Sequence, residues 1–337
     1  VHEWQVVREP VKKFIDLDIG GPEWNFYVSV TETIRRYALE ADISDGFLLA
    51  GPQRQVSSCM YAAANAWRNR KEASYEQQVF EDLGIEVDSG ATLSPLLDRL
   101  RTEVLPQVNL EDLRANDSKY NVFVQTLRGY FEEHPQEKLI VFSFFRGTLV
   151  YLAERLACDG IESRVLVGGM KETKQDVIEE FRKNARVKVL LSSEVASEGV
   201  DLQFCRVLVN YDLPWNPMKV EQRIGRIDRL GQEAEKISII NLLYAGTIDH
   251  KIHERLYARL RLFERALGGM DAILGEQIAD LTSDLLRRPL TEEQVSERVE
   301  RTALAIERIK LDQDELERQA SHLIAHGGHI LEEVEAA

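Results

Sequence analysis

Residues 190–217 read LLSSEVASEGVDLQFCRVLVNYDLPWNP. The β-branched run Val187–Leu191 ends in two serines, Ser192 and Ser193, and Gly199 then breaks a short acidic helix or loop. A second apolar run, Val207–Tyr211, ends in Asp212 and the turn Pro214-Trp215-Asn216-Pro217. Continuous apolar runs capped by polar turns belong to strands covered on both faces. That is the habit of a parallel sheet with helices on either side, whose ligands gather at the carboxyl ends of the strands. The stretch predicts an α/β fold.

Immediately downstream, residues 221–232 read EQRIGRIDRLGQ. Arg223, Arg226 and Arg229 recur every three residues, which on a continuous helix places them within about 120° of one another. Guanidinium groups stay charged in any environment and grip phosphate oxygens as a planar fork, so the cluster points to an anion. Gly225, in its midst, weakens a helix but admits a close approach.

Upstream, Lys138–Phe145 is a strand run, followed by a helix from about Thr148, as N-cap, to Gly160, as stop. A short strand over Arg164–Val167 leads to Gly168-Gly169 and a helix through Phe181, and Lys236–Tyr244 is a final strand with Thr247 opening another helix. Alternating strands and helices over 136–248 describe one α/β lobe.

The blocks SEGVDLQ, D-x-P-W-N-P and EQRIGRIDRLGQ, in that order, resemble motifs V and VI of superfamily 2 helicases. More narrowly they resemble the SWI/SNF-type translocases of double-stranded DNA, and closely the bacterial branch that includes the ATPase recycling RNA polymerase. Lys138–Phe145 resembles motif IV, and Gly168–Phe181 resembles the element that touches the DNA backbone, with Lys174 where the family more often has Arg. The resemblance implies a RecA-like parallel sheet over 136–248, a mainly helical inter-lobe segment over 1–135, and a helical brace or coiled-coil-like segment over 249–337. It implies Arg226 and Arg229 as arginine fingers toward the γ-phosphate of ATP. It further implies Gly199, Asp201, Gln222 and Arg223 on the nucleotide side, the last two orienting their helix and linking nucleotide state to DNA grip. Gly169, Lys174, Ser192, Ser193, Trp215 and Asn216 match positions along the DNA track. For Asp201 the other reading is a turn cap, for Trp215 packing in a rigid turn, and for Asp212 a loop hydrogen bond.

No G-x-x-x-x-G-K-[ST] occurs, nor a D-E-x-H-like strand end to hold Mg²⁺. Phosphoryl transfer needs a backbone cradle, a lysine on the β- and γ-phosphates and a carboxylate-held metal, so ATP with Mg²⁺ is expected to be held mostly by a first lobe outside this sequence. The chain therefore reads as the second half of a motor, either excised or naturally split. The expected partners are that first lobe, duplex DNA and a protein on the DNA such as RNA polymerase. Two other readings stand: a strand-separating helicase lobe, and a non-catalytic interaction module on the same fold.

The net charge of −15 argues against simple adhesion to DNA. Residues 138–232, however, hold 15 Lys and Arg against 13 Asp and Glu, while the flanks carry the remaining 27 and 44. Acidic flanks suit a grip that needs both lobes, a basic protein partner, or autoinhibition. Cys59, Cys158 and Cys205 are widely spaced, which favours reduced thiols, and Gly327-Gly328 interrupts the His322, His326 and His329 trio, so no metal site is expected. No apolar run approaches the length of a membrane span and no signal peptide is visible, which points to a cytoplasmic, nucleoid-associated protein. Gln53-Arg54-Gln55-Val56-Ser57-Ser58 and an alanine-rich helix to Trp67-Arg68 resemble inter-lobe helices or an ordinary helical core. Thr291-Glu292-Glu293-Gln294 has capping-box chemistry, and Val, Leu and Ile recur at helical spacing beyond it.

Overall fold

The computed structural model describes residues 6–40, 46–69, 94–197, 199–215, 217–229, 232, 234–254, 281, 291, 293–306, 308–309, 311–312 and 315. Six strands form one parallel sheet: β1 (Val7–Ile15), β2 (Leu139–Phe142), β3 (Ser163–Leu166), β4 (Val189–Ser192), β5 (Val207–Asn210) and β6 (Lys236–Tyr244), in the spatial order β1-β6-β5-β2-β4-β3. This is the α/β RecA-like architecture.

The apolar runs account for the order. Every residue of β2, β4 and β5 is buried, and these three lie inside the sheet. β3 is half-buried and takes one edge. β1 takes the other, paired with β6 from Val7↔Lys236 to Ile15↔Tyr244. Pro10 cannot donate a ladder hydrogen bond, which suits an edge strand, and Lys12 and Lys13 discourage pairing with another chain. A strand from the N-terminal segment thus completes the sheet whose other five strands lie within 136–248.

The helices are α1 (Pro22–Glu40), α2 (Gly46–Ser58), α3 (Met60–Arg68), α4 (Ser94–Arg99), α5 (Leu110–Ala115), α6 (Ser118–Glu133), α7 (Arg146–Cys158), α8 (Lys174–Lys183), α9 (Glu194–Ser197), α10 (Pro217–Ile224) and α11 (Ile248–Ile252). Parallel strands joined by right-handed crossovers put α7 on one face, and α8 and α10 on the other, because β2→β3 runs across the sheet in the opposite direction from β3→β4 and β5→β6. α3 packs on α7, and α6 packs on β1 and β6.

Two helix ends are informative. Gly160, at φ +73°, ends α7: its N–H donates to the Ala157 carbonyl at 3.2 Å and Ile161 N–H to Leu156 at 2.9 Å, the paired bonds of a left-handed helix terminus. At its other end α7 starts at Arg146, so the expected cap Thr148 lies inside the first turn, buried, with Oγ1 2.9 Å from Ser58 Oγ. The residues before the helix are fixed by other bonds: the Asp212 carboxylate accepts from Phe144 N–H at 3.0 Å and the Ser143 hydroxyl from Phe145 N–H at 3.3 Å, and Phe145 stands at the N-cap without a side-chain cap.

Toward the C-terminus, Thr291 N–H donates to Gln294 Oε1 at 3.0 Å and Gln294 N–H to Thr291 Oγ1 at 3.2 Å, the reciprocal capping box. In helical residues 293–306, Val295, Val299, Ala303 and Ile306 form a stripe buried within this chain. Residues 255–280 and the histidines His322, His326 and His329 lie outside the described residues. Among the described residues no helix is long and apolar enough to cross a membrane.

Candidate functional site

The arginine stretch does not form one helix face. α10 ends at Ile224, and the chain tightens through Arg226 N–H to Arg223 O at 3.1 Å and Ile227 N–H to Ile224 O at 3.0 Å. The three arginines separate as a result. Arg223 is turned inward and 1 % exposed. Its Nη1 donates to the Asp212 carbonyl at 2.6 Å and to Asn210 Oδ1 at 3.0 Å, and its Nη2 lies 3.4 Å from Asp212 Oδ1. Arg226 is half-buried and Arg229 exposed, its Nε donating to the Gly225 carbonyl at 2.9 Å. A Cβ on Gly225 would meet only Glu221 O at 3.4 Å and Gln222 O at 3.7 Å, ordinary contacts within its own turn.

A second arginine fixes that turn from outside. Arg8, near the start of β1, reaches Glu221 through both terminal nitrogens (3.0 and 2.8 Å) and Asp228 through Nε at 2.6 Å. Gln232 closes the segment, donating through Nε2 to the carbonyls of Cys205 at 3.1 Å and Ile227 at 2.9 Å. Cys205 lies two residues before β5, so the turn bearing Arg226 and Arg229 lies at the amino-terminal edge of the sheet. Asp201 lies at the same edge. Gly199, at φ +74°, turns the chain back after α9, and Asp201 Oδ2 comes 3.9 Å from Arg182 at the end of α8. Asp201 Oδ1 also accepts from Gln203 N–H at 3.0 Å, so the turn-cap geometry is present.

The other candidates gather at the opposite pole, beyond the carboxyl ends of the strands. Gly169, at φ +71°, follows β3, and exposed Lys174 begins α8 behind its cap Thr173. Ser193 N–H donates to the Leu166 carbonyl at 3.0 Å. Two side chains expected along the track are interior instead. Ser192 is buried, its hydroxyl donating to the Ser193 carbonyl at 3.0 Å, and Trp215 is 1 % exposed with its indole N–H on Asp249. For Trp215 the packing reading describes the geometry. Half-buried Gln222 lies on α10 beside Arg223, and Asn216 falls outside the described residues.

Beneath the carboxyl pole is a polar hub that the sequence marked only faintly. Asp212, weighed there as a loop hydrogen bond, accepts at Oδ2 from Ser58 Oγ at 2.6 Å and Ser143 Oγ at 2.5 Å, in addition to Phe144 N–H and Arg223. Burial opposes its charge, but Arg223 and these donors outweigh that, and the carboxyl is held below its ordinary range. Close by, Lys119 is buried, donating from Nζ to the Ser57 carbonyl at 2.8 Å between the rings of Tyr211 and Tyr244 at 5.0 and 5.1 Å. Burial pushes its ammonium below the ordinary lysine range against the opposing pull of Asp212 and Asp249, while burial pushes the Asp249 carboxyl up. The signal in the sequence was Gln53–Ser58: five polar side chains there are buried, and Gln55 and Gln53 accept from Trp67 Nε1 at 2.6 Å and Thr31 Oγ1 at 3.2 Å.

This architecture, with arginines at one edge and a glycine-marked loop and buried carboxylate hub at the other, is similar over part of the chain to a known family. Residues 118–231 match the family model described as the helicase conserved C-terminal domain. Over 163 residues, 47 % of this chain, the sequence is 39 % identical to an uncharacterized ATP-dependent helicase, YqhH, of Bacillus subtilis (strain 168). That match spans 29 % of the relative's length. In structure the chain resembles the C-terminal part of the Fun30 ATPase domain, with a TM-score of 0.55 and 16 % identity over 84 % of this chain and 97 % of that one, a likeness of fold.

Proposed function

We propose that the chain is the second lobe of an ATP-driven, SWI/SNF-like motor that moves along double-stranded DNA. The observation that carries this reading is the polarity of the lobe. Arg226 and Arg229 are presented at the amino-terminal edge, on a turn pinned by Arg8 to Glu221 and Asp228, while Gly169, Lys174 and Ser193 lie at the carboxyl edge. A first lobe holding ATP and Mg²⁺ would meet the arginine edge, where guanidinium groups stabilise charge on the γ-phosphoryl group as it transfers. DNA phosphates would meet the other edge through Lys174 and the backbone amides of its loops. Arg223 and Asp212 span the two, since Arg223 belongs to the helix that delivers the fingers and Asp212 binds the β2–α7 turn at the DNA edge. Closure and opening of the two lobes with each ATP would then ratchet the duplex.

The test is duplex-stimulated ATP hydrolysis, measured for this chain alone and with the first lobe joined to it, with Arg226→Ala and Arg229→Ala in both. Silence alone, turnover with the first lobe, and loss on the order of 10³-fold in either variant are expected. Turnover by the isolated chain, or full turnover in both variants, would refute the half-motor. Strand separation of a blunt duplex would replace translocation by the helicase reading.

A further inference from the structure

Arg8 lies outside residues 118–231, the stretch that matches the family model, and it meets the arginine segment across 213 and 220 positions of sequence. Its backbone is fixed by the sheet, where β1 pairs with β6 along its whole length and Arg8 stands opposite Ile237. From that strand the guanidinium takes both carboxylate oxygens of Glu221, on the last turn of α10, and reaches Asp228 beyond the helix end through Nε. The arginine side chain is 11 % exposed and its two partners 14 and 20 %, so these charge-assisted bonds act where water screens little. One cation sits between two carboxylates. Without it the two would repel one another, and the chain reversal that carries Arg226 would open.

Asp228 stands between Arg226 and Arg229 in sequence. Its N–H donates to the Ile224 carbonyl at 2.9 Å, so the turn keeps a helix-like rotation to this point. At about 100° per residue, Arg226 projects about 200° away from Asp228 and Arg229 about 100° away. Tying Asp228 to the edge strand therefore fixes the rotation of the turn, and with it the directions in which both arginines leave it.

We propose that Arg8 is a positioning residue for the turn after α10, holding Glu221 and Asp228 so that Arg226 and Arg229 meet the transferring phosphoryl group in one orientation. This rests on the half-motor reading and adds to it a residue from outside the motif-bearing stretch. Charge on the transferring group is stabilised in the transition state, so a loosened turn lowers kcat and leaves KM for ATP in place. A side chain that served the fold alone would lower Tm and leave kcat per folded molecule unchanged.

The experiment is a double-mutant cycle in steady-state ATP hydrolysis, on the two-lobe protein with duplex DNA. Arg8→Ala is expected to lower kcat about 10²-fold with KM within twofold, the size of effect that a misplacement of about 1 Å produces. In a background already carrying Arg226→Ala and Arg229→Ala, the same substitution is expected to cost less than about threefold, because nothing is left for Arg8 to position. Arg8→Lys, which keeps the charge without the fork, is expected to fall between Arg8→Ala and the parent. Asp228→Asn keeps the shape of the side chain and removes its charge, and it decides the matter if Arg8→Ala does not fold: kcat is expected to fall with KM constant. An unchanged kcat in Asp228→Asn and Arg8→Ala, a rise in KM with kcat constant, or an equal fold-loss with and without the two arginines overturns the positioning role and leaves the half-motor standing. Full turnover by the variant lacking Arg226 and Arg229 overturns the half-motor itself.

Discussion

Arg223 and Asp212 form a buried ion pair that ties the helix delivering the candidate fingers to the turn after β2. The guanidinium reaches both the carbonyl and the carboxylate of Asp212, and that carboxylate also collects Ser58, Ser143 and the Phe144 amide. A buried pair of this kind adds little net stability over an apolar replacement, because both ions lose their hydration. Removing one partner, however, strands the other.

Arg223→Met is therefore expected to cost about 3–5 kcal/mol in urea unfolding, by leaving Asp212 charged and under-compensated. Arg223→Lys restores the charge without the fork, so it should fall between the two. Equal stability of Arg223→Met and the unmodified chain would show that Ser58, Ser143 and Phe144 suffice to hold the carboxylate.

Arg229 makes the opposite case. Its side chain is exposed and, among the described residues, bonds its own turn at Gly225, so Arg229→Ala should change stability by no more than about 0.5 kcal/mol. Thermal unfolding of Arg223→Ala beside Arg229→Ala checks the contrast. A large loss in both would mean that the turn, and not a ligand, is what Arg229 serves.

Trp215 donates its indole N–H to Asp249, and both groups are buried. Trp215→Phe retains a ring but leaves the carboxyl without that donor, at an expected cost of about 1–3 kcal/mol by denaturant titration. DNA affinity measured on the folded variant should hold, since no part of the ring faces solvent. A selective loss of DNA binding at unchanged stability would restore the track role.

Burial pushes the Glu23 carboxyl up to about 7, against hydrogen bonds from Ser118 N–H at 3.3 Å and Tyr244 OH at 2.9 Å. Between the unfolded value of about 4.3 and about 7 the folded chain keeps a proton that the unfolded chain has lost. Its contribution is thus fully present below that window and declines as pH rises through it. Glu23→Gln should be close to neutral at pH 5 and stabilising by on the order of 1–3 kcal/mol at pH 8. A difference in Tm between variant and parent that is the same at both pH values would rule this out.

Much of the fold was legible because it rests on local pattern. The runs at 139–142, 189–192 and 207–210 are apolar except for the terminal Ser192 and Asn210 and became interior strands, and Gly160 and Thr291 ended and began helices through bonds to their immediate neighbours. The helix α7 starts two residues before Thr148, at Arg146, because the preceding turn is held by a carboxylate 68 positions away, which accepts from Phe144 N–H, and that bond is invisible to local cap chemistry. The candidate site was legible in composition and not in direction. Period-three arginines suggest one face, yet the inward pull of Asn210 and Asp212 on Arg223 divides them. Arg8 carries no motif, and only the pairing of β1 with β6 brings it to Glu221 and Asp228.

The amino-acid sequence by itself determined the alternation of strand and helix, the parallel sheet and the presence of an arginine-rich segment after its fifth strand. Apolar periodicity and turn chemistry act over a few residues, and nothing elsewhere in the chain needs to be known. The tertiary structure alone decided that β1 closes the sheet beside β6, that Ser192 and Trp215 are interior, and that Arg226 and Arg229 lie at the opposite edge from Gly169, Lys174 and Ser193. Those outcomes depend on which distant groups compensate buried charge and unmet hydrogen bonds, and that is settled only when the whole chain is packed.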